Sequence, residues 1–333
     1  MGTILITVGA GYIGSHVVKQ LGDQGRTIVT LDNLSKGFRD AVLHGDLVIG
    51  DTGDAPFVRR VLRDYQVDTV IHFAALTIVP ESVAQPLKYY LNNTVATRNL
   101  IECCIEHGVR HFIFSSTAAV YGIPAQASCD ENDSVAPINP YGRSKLMSEM
   151  MLRDACAVND MRFVILRYFN VAGSDPSGRI GQSTRDATLL IKVAAEVAAG
   201  LRPSLSVFGT DYPTPDGTGI RDYIHVEDLA DAHLRALAHL ETGGASATLN
   251  CGYGHGFSVR EVIDAVAAAT GRPLPIIEAP RRAGDPPELI ARADRLRDLL
   301  GWKPRFDDLG AIVRTSLAWE QKLAELRKNG RWS

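Results

Sequence analysis

The chain has 333 residues, 45% of them hydrophobic and 22% charged, with 35 Lys and Arg against 38 Asp and Glu for a net charge of -3. This excludes a disordered chain, which would carry fewer apolar residues and more net charge, and it lacks the basic surplus of a dedicated nucleic-acid binder. The apolar runs are strand-length, well short of the ~20 residues of a membrane span, so neither nucleic acid nor membrane is expected as a partner. At ~100–200 residues per domain, the length fits one large or two modest domains. The five cysteines (Cys103, Cys104, Cys129, Cys156 and Cys251) are odd in number and match no zinc or CxxC spacing. No metal is therefore expected, and a reducing cytoplasm is the expected location.

In chain order, Thr3-Ile4-Leu5-Ile6-Thr7-Val8 reads as a buried strand running into glycines. Tyr12 to Gln24 follows as a helix stopped by Gly25. Strands are predicted at Thr27–Leu31, Asp46–Ile49, Thr69–Phe73, His111–Ser115 and Arg162–Leu166, with helices at Phe57–Tyr65, Tyr89–His107 and Tyr141–Val158. Buried strands alternating with helices predict an α/β fold, a Rossmann-type doubly wound parallel sheet. Such sheets bind ligands beyond the C-terminal ends of their strands. After Gly173 the texture changes to loops rich in Gly, Pro and Asp between short helices, which predicts a smaller second domain of mixed α/β structure.

Gly9-Ala10-Gly11-Tyr12-Ile13-Gly14 fits GxGxxG, and it follows a strand, opens a helix and has Asp32 at the end of the next strand. Glycines allow close backbone approach to a pyrophosphate, and the helix start offers partial positive charge. Asp32 suits ribose hydroxyls and repels a 2′-phosphate, so NAD is expected over NADP. The alternative is a glycine turn that only lets strand and helix pack.

Tyr141-Gly142-Arg143-Ser144-Lys145 is YxxxK, which places both side chains on one helix face. A phenol is a poor base at neutral pH. A neighbouring ammonium favours the phenolate, which makes a base able to take a proton from a sugar hydroxyl. Ser115-Ser116-Thr117 ends a strand upstream and offers a hydroxyl for the same substrate oxygen. The plain alternatives are a surface Tyr and Lys after Pro140, and hydroxyls that cap element ends.

With these residues in view, the sequence resembles the extended short-chain dehydrogenases/reductases, most closely the UDP-glucose 4-epimerase family. The resemblance rests on Gly11-Tyr12-Ile13-Gly14-Ser15-His16, Leu31-Asp32-Asn33-Leu34, Val70-Ile71-His72-Phe73-Ala74-Ala75 and Pro140-Tyr141-Gly142-Arg143-Ser144-Lys145. Leu166-Arg167-Tyr168-Phe169-Asn170 and the run from Phe208 to Val226 extend it into the second half. It implies an isomerase that removes the C4 hydride of UDP-glucose or UDP-galactose to NAD, passes through a 4-keto sugar and returns hydride to the opposite face. Tyr141 is then the acid/base, Lys145 tunes it and Thr117 assists.

The resemblance implies NAD contacts from Gly9, Gly11, Tyr12, Ile13, Gly14, Asp32, Asn33, Leu34, Ser35, Lys36, Gly37, Asp51 and Thr52. Phe73, Ala74, Ala75, Leu76, Thr77, Asn92 and Phe169 complete that set beside Tyr141 and Lys145. The UDP-sugar falls to Thr117, Tyr141, Asn170, Leu189, Leu190, Ser206, Val207, Phe208, Arg221, Arg282 and Asp285, with Leu289 bordering the sugar's C2 substituent. Guanidinium forks at Arg221 and Arg282 suit a diphosphate. The implied division is an NAD-binding domain at 1–170 and a UDP-sugar-binding domain at 171–333, with a segment near 220–240 packing back on the first. A homodimer through the helix bearing Tyr141 is implied as well.

The chain departs from the family in having Val8 where Gly is usual, Thr77 where some members have Lys, and Leu189 where some have Asn. A 4,6-dehydratase would need an acidic pair after Thr117, but Ala118-Ala119 stand there. A 4-epimerase of UDP-GlcNAc, a UDP-pentose or a UDP-uronate remains open, as does a non-catalytic NAD-binding protein of the same fold.

Overall fold

The computed structural model describes residues 2–282 and 284–332. β1 (Thr3–Thr7) leads into α1 (Tyr12–Asp23), followed by β2 (Ile28–Asp32), β3 (Asp46–Ile49), α2 (Ala55–Asp64) and β4 (Val67–His72). Two short helices, α3 (Val79–Ala84) and α4 (Pro86–Tyr89), pass through a π-helical stretch (Tyr90–Val95) into α5 (Ala96–Glu106). β5 (His111–Thr117), β6 (Ser128–Cys129), α6 (Pro140–Ala157), β7 (Arg162–Tyr168) and β8 (Asn170–Ala172) follow. The second half contains α7 (Leu190–Ala198), β9 (Leu205–Phe208), β10 (Ile220–Arg221), β11 (Tyr223–His225), α8 (Val226–Glu241) and β12 (Ala247–Cys251). It closes with β13 (Phe257–Ser258), α9 (Val259–Thr270), β14 (Ile276–Ala279), β15 (Glu288–Ala291), α10 (Asp294–Leu300) and α11 (Leu309–Lys328).

Seven strands form one sheet in the order β12-β7-β5-β4-β1-β2-β3, and every pairing in it is parallel. Apart from the edge strand β3, both faces are largely buried, which explains the unbroken apolar runs. Side chains alternate across a strand, so Ile4 and Ile6 join the layer that holds Val17, Val18 and Leu229. Leu5 joins the opposite layer with Val58, Leu100 and Leu152. The chain winds from β1 outward to β2 and β3, then restarts at β4 on the other side of β1. The crevice at that reversal is the expected ligand site of such a sheet, and it lies between the ends of β1, β2 and β4.

The two halves exchange strands. β12 borders β7 at the edge of the large sheet, and α8 packs on α1, β5 and β7. In return β6 pairs with β15 in a four-stranded sheet, β13-β10-β15-β6. Among the described residues no helix is long and apolar enough to cross a membrane.

The predicted helix Tyr89–His107 is interrupted by the π stretch, and neither α3 nor β12 was anticipated. α3 is only six residues long and carries Pro80 in its first turn, so its apolar period is too short to register.

Candidate active site

The glycine turn has the shape its sequence implies. Gly11 sits at the start of α1 in an extended conformation, no side chain among the described residues caps it, and the first turn carries no acidic residue. The amides at this helix start are thus not committed to a side chain, which suits an anion. A Cβ on Gly14 would lie 2.4 Å from the Val8 carbonyl oxygen and 2.9 Å from Gly9 Cα, so only glycine lets the helix approach the turn.

Val8 carries strain, with φ at 54°. Left-handed backbone costs a β-branched residue roughly 1–2 kcal/mol. Its amide donates to Leu31 O at 2.7 Å and its carbonyl accepts from Gly11 N at 3.1 Å, which hold it there. Val8→Gly should relieve the strain, raise the melting temperature and increase the NAD retained through gel filtration. An equal or lower melting temperature and occupancy would show that the turn accommodates Val without cost.

Asp32 is buried at the end of β2 and fixes the neighbouring loop. Its carboxylate accepts from Ala10 N at 3.0 Å and Leu34 N at 2.8 Å. Burial raises its carboxyl above the ordinary value, and the two amides oppose that. A Cβ on Gly37 would meet Asp32 Oδ2 at 2.8 Å, so the loop folds closely over the acid. Asn33 donates to Asp51 Oδ2 at 3.0 Å and accepts from Ser35 N at 3.0 Å. Thus Asp32, Asn33, Leu34, Ser35, Gly37 and Asp51 form one connected rim beside the glycine turn, and the turn, the acid and this rim fit a dinucleotide.

The YxxxK helix starts with Asn139 as its cap, accepting from Gly142 N at 2.9 Å, and with Pro140 in the first turn. A Cβ on Gly142 would strike Ala119 O at 2.6 Å, so α6 lies against the turn just past Thr117. Tyr141 is thereby brought to the end of β5. Burial pushes its phenol up, while the Thr117 hydroxyl facing it pulls the other way. Lys145 is buried, its Nζ 4.2 Å from the centre of the Phe114 ring. Burial draws its ammonium down to about 7, with Glu149 opposing.

The loop Phe73–Ile78 is shaped by a residue the sequence reading did not single out. Asn93, in the π stretch, accepts from Leu76 N at 2.8 Å, donates to Leu76 O at 2.9 Å and donates to Ser144 Oγ at 3.0 Å. It pins the loop to α6 next to Lys145. Asn92 turns its amide onto Asn93 Oδ1 at 2.9 Å. The signal available was an Asn in a helix interior, where it has poor intrinsic propensity. π stretches recur at functional sites.

Beneath the loop, Thr97 donates to Asn93 O at 2.6 Å, so it accepts from His72 Nε2 at 2.9 Å, and His72 Nδ1 accepts from Thr7 Oγ1 at 2.8 Å. Thr7 Oγ1 in turn accepts from Phe73 N at 3.1 Å and Ala74 N at 3.3 Å. Each member is satisfied, and burial holds His72 neutral, its pKa lowered to about 3.

The candidate sugar-nucleotide residues are spread over the three smaller sheets, with Arg221 and Leu289 in the four-stranded one, Asn170 in β8 and Ser206 to Phe208 in β9. Asn170 N donates to Asp222 O at 3.0 Å, which joins β8 to the β10–β11 segment. Arg221 Nη2 donates to Asp285 Oδ1 at 2.8 Å. Leu289 lies opposite Arg221 in the β10–β15 pair. The Arg282 guanidinium covers Phe208 at 3.9 Å. A Cβ on Gly284 would lie 2.7 Å from Ile138 Cδ1, so this loop abuts the lead-in to Tyr141. Ser206 is exposed but Val207 is buried in β9, which leaves Val207 only its backbone to offer. Leu189 is exposed at the start of α7, and Leu190 packs on the core.

A doubly wound parallel sheet, an uncapped glycine turn and a tyrosine and lysine one turn apart on the helix after β5 fit a dinucleotide-dependent enzyme. The chain belongs to the NAD dependent epimerase/dehydratase family, which matches residues 4–252. It is 55% identical over 323 residues to the UDP-glucose 4-epimerase of Azospirillum brasilense, covering 97% of this chain and 93% of that protein. The structure of the Brucella ovis UDP-glucose 4-epimerase in complex with NAD superposes with a TM-score of 0.93 at 44% identity, covering 96% of this chain and 98% of that one. The UDP-Glc/GlcNAc 4-epimerase of Campylobacter jejuni is 50% identical, with a TM-score of 0.85 over 97% of this chain and 100% of that one.

Proposed function

We infer that the chain interconverts UDP-glucose and UDP-galactose with bound NAD. The observation that carries the reading is the placement of Tyr141 against Thr117 at the end of β5, one helical turn before buried Lys145, in a chain similar along nearly its whole length to UDP-glucose 4-epimerases. When bound, NAD supplies the acceptor and donor of hydride that takes the sugar through a 4-keto state. The residues that would hold it are the Gly9–Gly14 turn, the Asp32–Gly37 rim and the Phe73–Thr77 loop.

Tyr141 takes the O4 proton as the alcohol is oxidised and returns it as the carbonyl is reduced, so one group serves both directions. Thr117 orients the same oxygen. Lys145 holds positive charge beside the phenol and favours its ionised form. Arg221 and Arg282 present forks to the diphosphate, and Asp285 holds Arg221 in place. Ala118 and Ala119, in the turn after Thr117, have no proton to transfer, which speaks against a dehydratase. The test is incubation with UDP-galactose, UDP-GlcNAc, UDP-xylose and UDP-GlcA with product identification. UDP-glucose from UDP-galactose as the fastest conversion supports the reading, and no turnover of any of them would favour a non-catalytic NAD-binding protein.

We further propose that the chain is a cytoplasmic homodimer. The five cysteines are all unpaired, which suits a reducing compartment. For the dimer, Val83, Leu87, Leu91 and Val95 on the α3–α5 stretch and Met147 and Met150 on α6 are exposed. A run of exposed large apolar residues on neighbouring helices marks an association surface. Leu87→Lys with Leu91→Lys should convert the dimer to monomer in sedimentation equilibrium. A wild-type chain that sediments as a monomer would remove the proposal. The division at residue 170 is likewise proposed as a division of binding labour, with β12 and β6 stitching the two parts together.

A further inference from the structure

We infer that Glu149 is a positioning residue for the Tyr141–Lys145 pair: a buried carboxylate one helical turn past Lys145 that keeps the lysine charged and ties α6 to the strand bearing Thr117. The inference rests on the acid–base reading of that pair. Tyr141, Lys145 and Glu149 follow at i, i+4 and i+8, so they share one face of α6. Glu149 is fully buried, although a carboxylate is almost never buried without partners.

Its partners come from three elements. Ser116 donates its hydroxyl at 2.5 Å, from the residue next to Thr117 on β5. Arg167 on β7 donates Nε at 3.0 Å and Nη2 at 2.7 Å in a bidentate fork, and Arg153 donates at 2.9 Å. Ser116 and Arg167 face each other in the β5–β7 register. Arg167 also donates to Tyr121 Oη at 3.1 Å, which donates to Asn250 Oδ1 at 2.7 Å on β12. Burial alone would lower the Arg167 guanidinium, but Glu149 holds it above its ordinary range.

Hydrophobic residues would pack α6 onto the sheet at least as well as this ionic cluster. What they would not supply is a negative charge near Lys145. Among the described residues Lys145 makes no ion pair, and its ammonium rests on the Phe114 ring. The groups that act on it are the neutral His72 from β4 and Glu149, whose carboxylate is paired with Arg167 and Arg153, and Tyr141 lies one turn before it on the same helix face. Glu149 is the one that favours the ammonium. A carboxylate in direct contact would occupy the lysine's donors; one a turn away stabilises the charge and leaves Nζ free for the site.

The test is the ε-carbon NMR resonance of Lys145, assigned by its loss in Lys145→Met and titrated with pH in the NAD-loaded protein, beside the pH profile of kcat with UDP-galactose. In Glu149→Gln the Lys145 midpoint should fall by about one unit, the scale of one nearby charge. The cation is then lost at lower pH, so the alkaline limb of kcat moves down by the same amount while KM changes little. Glu149→Asp should restore the midpoint even if its melting temperature is lower. Glu149→Gln with Arg167→Met removes the cation left unpaired in the single variant, and the midpoint should stay low there too. An unchanged or raised midpoint in the Gln variants, whatever their stability, would overturn the inference. The resonance reads Lys145 directly, so loss of turnover in the wild-type chain would count against the epimerase reading alone.

Discussion

Tyr141→Phe should lower UDP-galactose turnover by about 10²–10⁴-fold, the contribution of a well-placed general acid–base group, while leaving fold and NAD content unchanged. The ring still fills its place between Thr117 and the start of α6; only the oxygen is lost. Thr117 keeps a partner, since its Oγ1 accepts from Ala119 N at 3.1 Å, so no buried hydroxyl is orphaned. Stability should therefore move by no more than about 1 kcal/mol, the net worth of one hydrogen bond. Neighbouring hydroxyls make poor substitutes. Tyr168 lies close to Tyr141, and burial raises its phenol well above the ordinary value. Tyr89 also has a raised phenol, and its hydroxyl already donates to Ile78 O at 2.7 Å or Glu81 Oε2 at 2.8 Å. The measurements are kcat for both proteins, bound NAD after denaturation, and melting curves. A variant retaining more than about a tenth of wild-type kcat would place the proton acceptor elsewhere.

What was legible in the sequence is what local pattern dictates. The apolar runs announced the large sheet because burial on both faces removes alternation. GxGxxG was legible because its spacing encodes the close approach that Gly14 makes to Val8 and Gly9. YxxxK was legible because a helix places residues four apart on one face. What stayed hidden depends on partners distant in the chain. Asn93 acts through Leu76 and Ser144, and nothing near it in sequence announces either. Glu149 reads as an ordinary helix residue until Ser116 and Arg167 arrive from two strands. β12 is a five-residue strand whose place beside β7 comes only with the tertiary fold. Val8 was legible as a departure, but its positive φ shows that the turn geometry overrides the residue's preference. Ser115 belongs to the same lesson. It was a candidate hydroxyl, and it lies 3.3 Å from His233 Nε2, whose other ring nitrogen donates to Leu229 O at 2.9 Å; it therefore donates to a buried neutral imidazole and leaves Thr117 facing Tyr141.

Leu289→Tyr should change the choice of sugar and leave the preferred reaction largely intact. Leu289 lies in β15, directly opposite Arg221, and its carbonyl accepts from Asp222 N at 3.2 Å. Asp222 is itself fixed by Tyr253 N at 2.9 Å and Gly254 N at 2.9 Å, so the strand pair is rigid. Arg221 in turn holds Asp285, four residues before Leu289. A side chain at this position thus stands on a fixed frame beside the proposed diphosphate ligand, and it is only partly buried against the core. A branched aliphatic is shorter than a phenol and has no hydroxyl to order a sugar, so it leaves room for a 2-acetamido group. UDP-glucose and UDP-galactose should be the best substrates, with weak but measurable epimerisation of UDP-GlcNAc. Tyrosine fills that room. A change of pocket volume on this scale is worth about 1–3 kcal/mol of discrimination, so the ratio of kcat/KM for UDP-galactose over UDP-GlcNAc should rise tenfold to hundredfold without an absolute switch. If the substitution lowers kcat/KM for both substrates by one factor, Leu289 serves only to pack β15 on the core, and the breadth of the sugar site is set by other residues.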